Sequence, residues 1–181
     1  MILTGSAIQQ AVVRGDITIE PFDAYLLNPN SYNYRLGEVL KVAVAGPADP
    51  RAETELETIR IPACGYELNP RTVYLGATVE RTGSSRYVPS LIGRSSLGRL
   101  GCFLQISADL GQLGAIHRWT LEIVVVQPLT LYPGMRVGQV SFWERAGAAM
   151  PYVGHYGRLS EPSPCSPRAL AGALAHERTA A

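Results

Sequence analysis

Short β-rich runs follow one another along most of the chain, each bounded by glycine, proline or asparagine. β-Branched and aromatic residues favour strands, whereas the bounding residues favour turns. The runs are VLKVAVAG, TIRIPA, TVYLGATVER, YVPSLIG, CFLQISAD, TLEIVVVQPLTLY and RVGQVSFWE. Seven or more short strands at this close spacing predict an all-β barrel or sandwich rather than an alternating α/β fold.

A single helix is predicted near the N-terminus. The segment from Ser6 to Arg14 has apolar residues at near-helical spacing, and Gly15 ends it. The chain of 181 residues is most simply one domain, large enough to bury a substantial core, and we place this domain at residues 1–160. Residues 161–181 begin with closely spaced prolines and become Ala-rich, which predicts a flexible C-terminal tail.

The composition limits the partners and the compartment. The chain has 16 Lys and Arg against 15 Asp and Glu, and a net charge of +1 gives no general basic field for nucleic acid. Cys64, Cys102 and Cys165 form no CxxC pair, which indicates reduced thiols. The sequence shows no signal-peptide pattern and no apolar run of membrane-spanning length. We therefore expect a soluble, cytoplasmic protein without a membrane partner.

Glu122 is a carboxylate in the middle of an apolar strand, TLEIVVV. Alternate residues of a strand point to opposite faces, and both faces of this strand carry apolar residues. One face carries Leu121, Ile123 and Val125, and the other carries Thr120, Glu122, Val124 and Val126. A carboxylate in such surroundings costs free energy unless it is paired or its pKa is raised, and a raised pKa suits a proton-transferring base. The alternative is an edge-strand carboxylate paired with Arg99 or Arg118.

The stretch GRSSLGRLG, residues 93–101, packs two serines and two arginines between glycines. It follows the predicted strand YVPSLIG and reads as a short helical turn that Ser95 or Ser96 caps. Backbone N–H groups and hydroxyls at such an N-terminus bind an anion, and Arg94 and Arg99 add charge on either side. Phosphate is the expected ligand. The alternative is an ordinary capped turn with solvated arginines.

Four motifs together resemble the deoxycytidine triphosphate deaminase family, which shares a trimeric β fold with the dUTPases. The motifs are PNSYNYRLG, GRSSLGRLG, TLE and LYPGMRVGQVSF. The resemblance runs from the first helix to about Tyr156, with Asn33 in place of an Asp of the first motif. It implies an all-β fold of the distorted, dUTPase-like barrel type. It also implies a homotrimer with active sites between subunits and a pyrimidine nucleotide as substrate.

The resemblance further implies metal-independent, hydrolytic deamination of a cytosine nucleotide to the uracil nucleotide. Glu122 would act as general base and proton shuttle. Ser95 and the backbone carbonyl of Ala108 would hold the attacking water, and Arg99 would polarise the site. The expected substrate contacts are Arg94, Ser96, Gly111, Gln112, Thr120, Tyr152, His155 and Arg158.

The loop LGQLGA departs from the family pattern. Gln112 stands where the family carries an Asp that contacts the sugar 3′ hydroxyl, and Gly111 replaces a bulky aliphatic that would lie against C2′. The glycine is expected to leave room there, so we predict relaxed or altered sugar selection. In the dUTPases the Asp of this loop activates water for attack on phosphate, which a neutral amide cannot do. Pyrophosphohydrolysis is therefore disfavoured, alone or in a bifunctional deaminase.

The segment VGHYGRL departs as well, since His155 replaces a lysine and Leu159 a glutamine of the run that closes over the triphosphate. Losing a permanent cation weakens the case for a triphosphate, and Arg158 compensates in part. A cytidine mono- or diphosphate, ribo or deoxy, and a 5-modified cytosine nucleotide are therefore further candidate substrates.

The H-x-E and P-C-x-x-C motifs of the zinc deaminases are absent from the sequence, so no cofactor is expected in catalysis. Mg²⁺ would enter only with substrate phosphates. Two other functions stay open. One is a non-catalytic, nucleotide-binding regulatory protein, against which the joint presence of Ser95, Arg99 and Glu122 argues. The other, less favoured, is a dUTPase-like pyrophosphatase.

Overall fold

Twelve strands, two α-helices and two 3₁₀ helices make up the part of the chain that this computed structural model describes, residues 1–44, 46, 48–106 and 108–167. The strands are β1 (Thr18–Glu20), β2 (Leu27–Asn28), β3 (Ser31–Arg35), β4 (Val39–Ala43), β5 (Leu56–Arg60), β6 (Tyr66–Leu68), β7 (Tyr74–Gly83), β8 (Tyr87–Gly93), β9 (Cys102–Leu104), β10 (Ile116–Val125), β11 (Leu129–Leu131) and β12 (Arg136–Glu144). The helices are α1 (Gly5–Val13), α2 (Ser95–Gly98) and the 3₁₀ helices Ala24–Leu26 and His155–Arg158. The all-β prediction is confirmed.

Two main sheets share one hydrophobic core. The larger sheet has the order β5-β4-β7-β10-β9, with β1 also paired to β7. The smaller sheet has the order β2-β3-β12-β8, and β11 and β6 form a separate pair. The core contains fully buried side chains from both sheets, among them Tyr34, Leu40, Leu121 and Phe142. The strand orders are linear in the described chain, so the barrel is open and distorted.

The predicted helix and all seven predicted strand regions are confirmed. Helix α1 begins after Thr4, whose hydroxyl accepts a hydrogen bond from the backbone N–H of Ala7, and Gly15 follows its end with a φ of 78°. In the described part of the chain, no helix is long and apolar enough to cross a membrane.

Strand β3 is not among the seven predicted β-rich runs, and its sequence SYNYR is polar by composition. The first four of its residues are nevertheless buried. Their polar groups are satisfied: Asn33 donates through Nδ2 to the carbonyl of Leu26 and to Oδ1 of Asn28, both at 3.0 Å. The Tyr34 hydroxyl donates to the carbonyl of Ile92 at 3.0 Å. Polar residues form core strands when such partners are available.

A buried ion pair joins the two sheets. Glu80 of β7 is fully buried, and its carboxylate accepts hydrogen bonds from Nε of Arg35 at 2.6 Å and from the Arg35 backbone N–H at 2.8 Å. Arg35 ends β3, so the pair ties an inner strand of the smaller sheet to the middle strand of the larger one. The carboxylate also raises the pKa of the Arg35 guanidinium by hydrogen bonding. Because both oxygens have partners, the pair meets the requirement for a buried charge.

We expect Glu80→Gln to lower the free energy of unfolding by about 3 kcal/mol, because removal of one member of a buried pair leaves the other uncompensated. Chemical denaturation of the purified protein measures this loss. Glu38→Gln is the matched control, since Glu38 pairs with Arg60 at 2.8 Å on an exposed surface and should cost less than about 1 kcal/mol. Equal losses in the two variants would contradict a structural role for the buried pair.

Candidate functional site

A cavity of about 510 Å³ lies against β10. Three parts of the chain form most of its walls: β10 between His117 and Glu122, the loop that precedes this strand, and the C-terminal segment. Five of the expected site residues line it, namely Ala108, Gln112, Thr120, Glu122 and Tyr152.

An irregular register in the larger sheet brings both aromatic and polar side chains of β10 to the cavity. The pairing of β10 with β7 shifts register between Arg118 and Thr120. The Thr78 hydroxyl fills the gap, since it accepts the backbone N–H of Trp119 at 2.9 Å and donates to the carbonyl of Glu80 at 2.7 Å. In a regular strand two consecutive residues would face opposite ways, but here Trp119 and Thr120 both line the cavity. A shift of this kind is not visible in the sequence.

Glu122 lies on the cavity wall, half-buried, while the alternate residues Leu121, Ile123 and Val125 are buried in the core. The predicted alternation along this strand is therefore confirmed. The predicted alternative, an ion pair with Arg99 or Arg118, does not occur among the described residues. The carboxylate of Glu122 faces a cavity and not a basic partner.

Gln105 connects Glu122 to Ala108, and the sequence analysis missed it. Its Oε1 accepts the backbone N–H of Glu122 at 2.8 Å, and its Nε2 donates to the carbonyl of Ala108 at 3.4 Å. Gln105 is buried and has a φ of 52°, which ends β9 and turns the chain into the loop. The signal in the sequence was a lone amide in the apolar run CFLQI.

The C-terminal segment lies against the part of β10 that lines the cavity. The backbone N–H of Tyr152 donates to the carbonyl of Leu113 at 2.8 Å, and the N–H of Ser163 donates to the hydroxyl of Thr120 at 3.2 Å. Pro162 is buried and Cys165 lines the cavity. Ser163, Pro164 and Cys165 of the predicted flexible tail are thus part of the cavity wall. Residues 168–181 lie outside the described residues.

His117 is a second residue that sequence reasoning missed. It is buried, lines the cavity, and packs on the ring of Trp119 with 4.3 Å between ring centroids. Its Nδ1 lies 2.8 Å from the backbone carbonyl of Arg118. Burial lowers the pKa of the imidazole, and the charge of Arg81 acts in the same direction. We therefore assign it a neutral imidazole near neutral pH.

The serine-arginine stretch forms α2, which lies between β8 and β9 in the chain. Ser95, Ser96 and Arg99 are exposed, and none of them lines the cavity. The predicted capping is wrong: Arg94 occupies the N-cap position, and its side chain makes no capping hydrogen bond. A single chain therefore does not bring Ser95 and Arg99 to Glu122.

The expectation that Gly111 leaves room for a ligand differs from the structure. Gly111 is buried, and a Cβ at this position would lie 2.7 Å from Cγ of Pro89 and 2.9 Å from Cη2 of Trp119. The indole ring occupies the space that a larger side chain would fill. His155 and Arg158, on the last 3₁₀ helix, are exposed and do not line the cavity, whereas Leu159 does.

Among the described residues, no group of three or more His, Cys, Asp and Glu is arranged to hold a metal ion. The described residues that line the cavity also include no Lys or Arg. The cavity thus combines one carboxylate, several hydrogen-bonding groups and an aromatic wall, which is a site for a largely uncharged, planar molecule.

The fold and the site together define a small all-β protein of two open sheets, with a carboxylate on the wall of its cavity. The family model described as dCTP deaminase-like matches residues 2–145, and the chain belongs to this family. The chain is 45% identical over 152 residues to "dCTP deaminase, dUMP-forming" of Leptospira biflexa serovar Patoc, covering 84% of this chain and 87% of that protein. It is 43% identical over 147 residues to "dCTP deaminase" of Rhodopirellula baltica, covering 81% and 74% of the two chains.

A solved structure, the 2′-deoxycytidine 5′-triphosphate deaminase of Agrobacterium tumefaciens, resembles this chain with a TM-score of 0.62 and 23% identity. The match covers 78% of this chain and 47% of that one, so this chain spans less than half of that protein's length. The likeness supports the fold.

We expect the free energy of unfolding to fall as the pH drops through and below the ordinary range of histidine. The folded state lowers the pKa of His117 by burial, so the unfolded state takes up the proton first. Denaturant titrations at a series of pH values should show a smaller fall in His117→Gln than in the native protein. The matched control is His155→Gln, at an exposed histidine, which should keep the native pH dependence. An unchanged slope in His117→Gln would contradict the assignment.

Proposed function

We propose that this protein deaminates a cytosine nucleotide by hydrolysis and that Glu122 is the proton-transferring base. The observation that carries the proposal is the position of this carboxylate on the cavity wall that Ala108 also lines, with Gln105 joining the backbone N–H of Glu122 to the carbonyl of Ala108. A carboxylate and a carbonyl oxygen on the wall of one cavity can both bind a water molecule in it. The relatives named as dCTP deaminases support the same reaction.

In the reaction, water adds to C4 of the cytosine ring and forms a C4–O bond. Glu122 takes a proton from the water and passes it to the ring nitrogen N3. The C4–N4 bond then breaks, the exocyclic nitrogen leaves as ammonia, and the remaining water proton goes to it through the carboxylate. The product is the uracil nucleotide. The partly apolar cavity holds base and water together and limits competing bulk water.

We further propose that α2 of a neighbouring subunit completes the site in a homotrimer. Ser95, Ser96 and Arg99 are exposed, and three exposed apolar side chains, Leu100, Phe103 and Ile106, follow them closely in the chain. An exposed apolar patch beside unpaired arginines is typical of a contact surface. In this arrangement Ser95 and Arg99 approach the reacting water, and Arg94 and Ser96 approach the phosphates.

The phosphates lie outside the cavity in this proposal, because its described lining carries no cation. Arg94 of the neighbouring subunit and Arg158, exposed on the last 3₁₀ helix, are then available to them. Mg²⁺ would be held by a di- or triphosphate itself and would take no part in the hydrolysis.

The relatives named dUMP-forming raise the question of whether this chain also removes pyrophosphate. Release of dUMP from a triphosphate requires water activated for attack on phosphorus. The loop residue at the cavity is Gln112, a neutral amide that cannot act as a base. Asp109 on the same loop lies 3.5 Å from the hydroxyl of Ser90 and does not line the cavity. We propose deamination without loss of phosphate.

Ammonia release and loss of the cytosine absorbance band should be measured with CMP, dCMP, CDP, CTP, dCTP and 5-substituted cytosine nucleotides. We expect turnover of at least one, with products that keep every phosphate. Glu122→Gln should lower kcat by about 10²- to 10⁴-fold and leave binding intact, because the amide keeps the shape and loses the base.

The control for this experiment is Glu144→Gln, the same substitution on β12 outside the cavity, which should keep native kcat. Binding of nucleotides without ammonia from any of them would support the regulatory alternative instead. Pyrophosphate release from dCTP or dUTP would contradict the assignment of Gln112.

Complementation between two inactive variants tests the shared site. Glu122→Gln and Arg99→Ala are co-expressed with different affinity tags, and mixed oligomers are isolated through both tags. If each site joins Glu122 of one subunit to Arg99 of the next, each mixed trimer regains activity at one of its sites, about a third of the total. Each variant purified alone stays inactive. Absence of any recovery would mean that both residues act within one subunit or that Arg99 lies outside the site.

A further inference from the structure

Three contacts fix the position of Trp119, two through its side chain and one through its backbone. Its indole Nε1 donates to the carbonyl of Thr82 at 2.8 Å, its backbone N–H donates to the Thr78 hydroxyl, and its ring packs on His117. Because the indole N–H already has a partner, the side chain offers a ligand its carbon surface and no free donor. It is thus a rigid, flat, apolar element of the cavity wall.

Gly111 and Trp119 are complementary. A Cβ on Gly111 would lie 2.9 Å from Cη2 of Trp119, and the other near atoms belong to the proline ring and carbonyl of Pro89. A Cβ fits there only if both Pro89 of β8 and the indole move. The backbone N–H of Gly111 is also bonded to the Pro89 carbonyl at 2.8 Å, which keeps the loop against that strand. The glycine is therefore a condition for the ring to occupy its position.

Trp119 precedes Glu122 by three residues on β10, which corresponds to about 10 Å along a strand. Both side chains line the same cavity because of the register shift between Arg118 and Thr120. When C4 of a pyrimidine lies beside Glu122, the pentose on N1 lies on the opposite side of the ring. Along this strand, the opposite side of the cavity is the wall formed by Trp119 and His117.

We propose that Trp119 is the specificity-determining residue for the pentose and that Gly111 is its positioning residue. The inference rests on the proposed deamination of a cytosine nucleotide. In it, one face of the sugar packs against the indole ring, and the fixed ring sets the space left for a 2′ hydroxyl. Gly111 acts on sugar selection through the ring and makes no contact with the ligand itself.

Kinetics of Trp119→Leu and Trp119→Phe on paired ribo- and deoxyribonucleotides test the proposal. We expect Trp119→Leu to change the ratio of kcat/KM between the two sugars by about tenfold or more, the range for steric discrimination in an apolar pocket. KM should rise for the preferred sugar with a much smaller change in kcat. Trp119→Phe should recover part of the discrimination, since a smaller aromatic wall remains. Gly111→Ala should shift the ratio in the same direction as Trp119→Leu.

Trp143→Phe is the matched control, because Trp143 lies half-exposed on β12 and outside the cavity, with Nε1 bonded to Ser141. It should leave the sugar ratio unchanged. A Trp119→Leu protein that deaminates with the native ratio overturns the proposal and leaves the deaminase assignment intact. Absence of ammonia from the native protein on every nucleotide would instead refute the proposed function.

Fluorescence keeps the test available if Trp119→Leu or Gly111→Ala fails to fold. The chain has two tryptophans, so in a Trp143→Phe, Glu122→Gln protein Trp119 is the sole tryptophan and bound nucleotide is not turned over. We expect saturable quenching by cytidine and deoxycytidine monophosphates, with different amplitudes for the two sugars. Binding measured by calorimetry without a change in this fluorescence overturns the proposal.

Discussion

The buried pair of Glu80 and Arg35 is the interaction on which the rest of the structure depends. A carboxylate with no exposure must keep its hydrogen bonds, and both of its oxygens receive them from Arg35. To direct Glu80 inward, β7 departs from regular pairing with β10 over the residues next to it. The Thr78 hydroxyl compensates by bonding the freed backbone groups. The junction of the two sheets and the irregular register are therefore one feature.

That register shift determines the character of the site. Before it, His117 and Trp119 present rings toward the cavity, and after it Thr120 and Glu122 present polar groups. A regular strand would have sent one of these two pairs to the opposite face. A single strand thus carries both the aromatic side chains of the wall and the carboxylate that faces the cavity. A rigid strand in the middle of a sheet positions groups more accurately than a loop does.

Sequence reasoning predicted the features that depend on local periodicity. Helix α1, the strand regions and the outward face of Glu122 follow from spacing alone, and the resemblance located the loop and α2. The register shift could not be predicted, because regular pairing of β7 with β10 would have the same sequence pattern. The shift accompanies the contact between Arg35 and Glu80, two residues that lie 45 positions apart in the chain. Gly111 was misinterpreted for a related reason. Its neighbour in space, Trp119, comes from a different element, so the replacement of the family's bulky aliphatic by a glycine suggested empty room.

The cavity and the surface of the chain differ in the charges that they carry. The described cavity lining carries a carboxylate but no Lys or Arg, so a phosphate inside it would be dehydrated without a compensating cation, at a cost of several kcal/mol or more. The base and the sugar are neutral, so their dehydration on entering the cavity costs much less free energy. Arg99 at the end of α2 and Arg158 on the last 3₁₀ helix are exposed, where a charge is inexpensive. In the proposed function, selection of base and sugar therefore belongs to the interior of one chain, and recognition of phosphate belongs to its surface and to the surface of the neighbouring subunit.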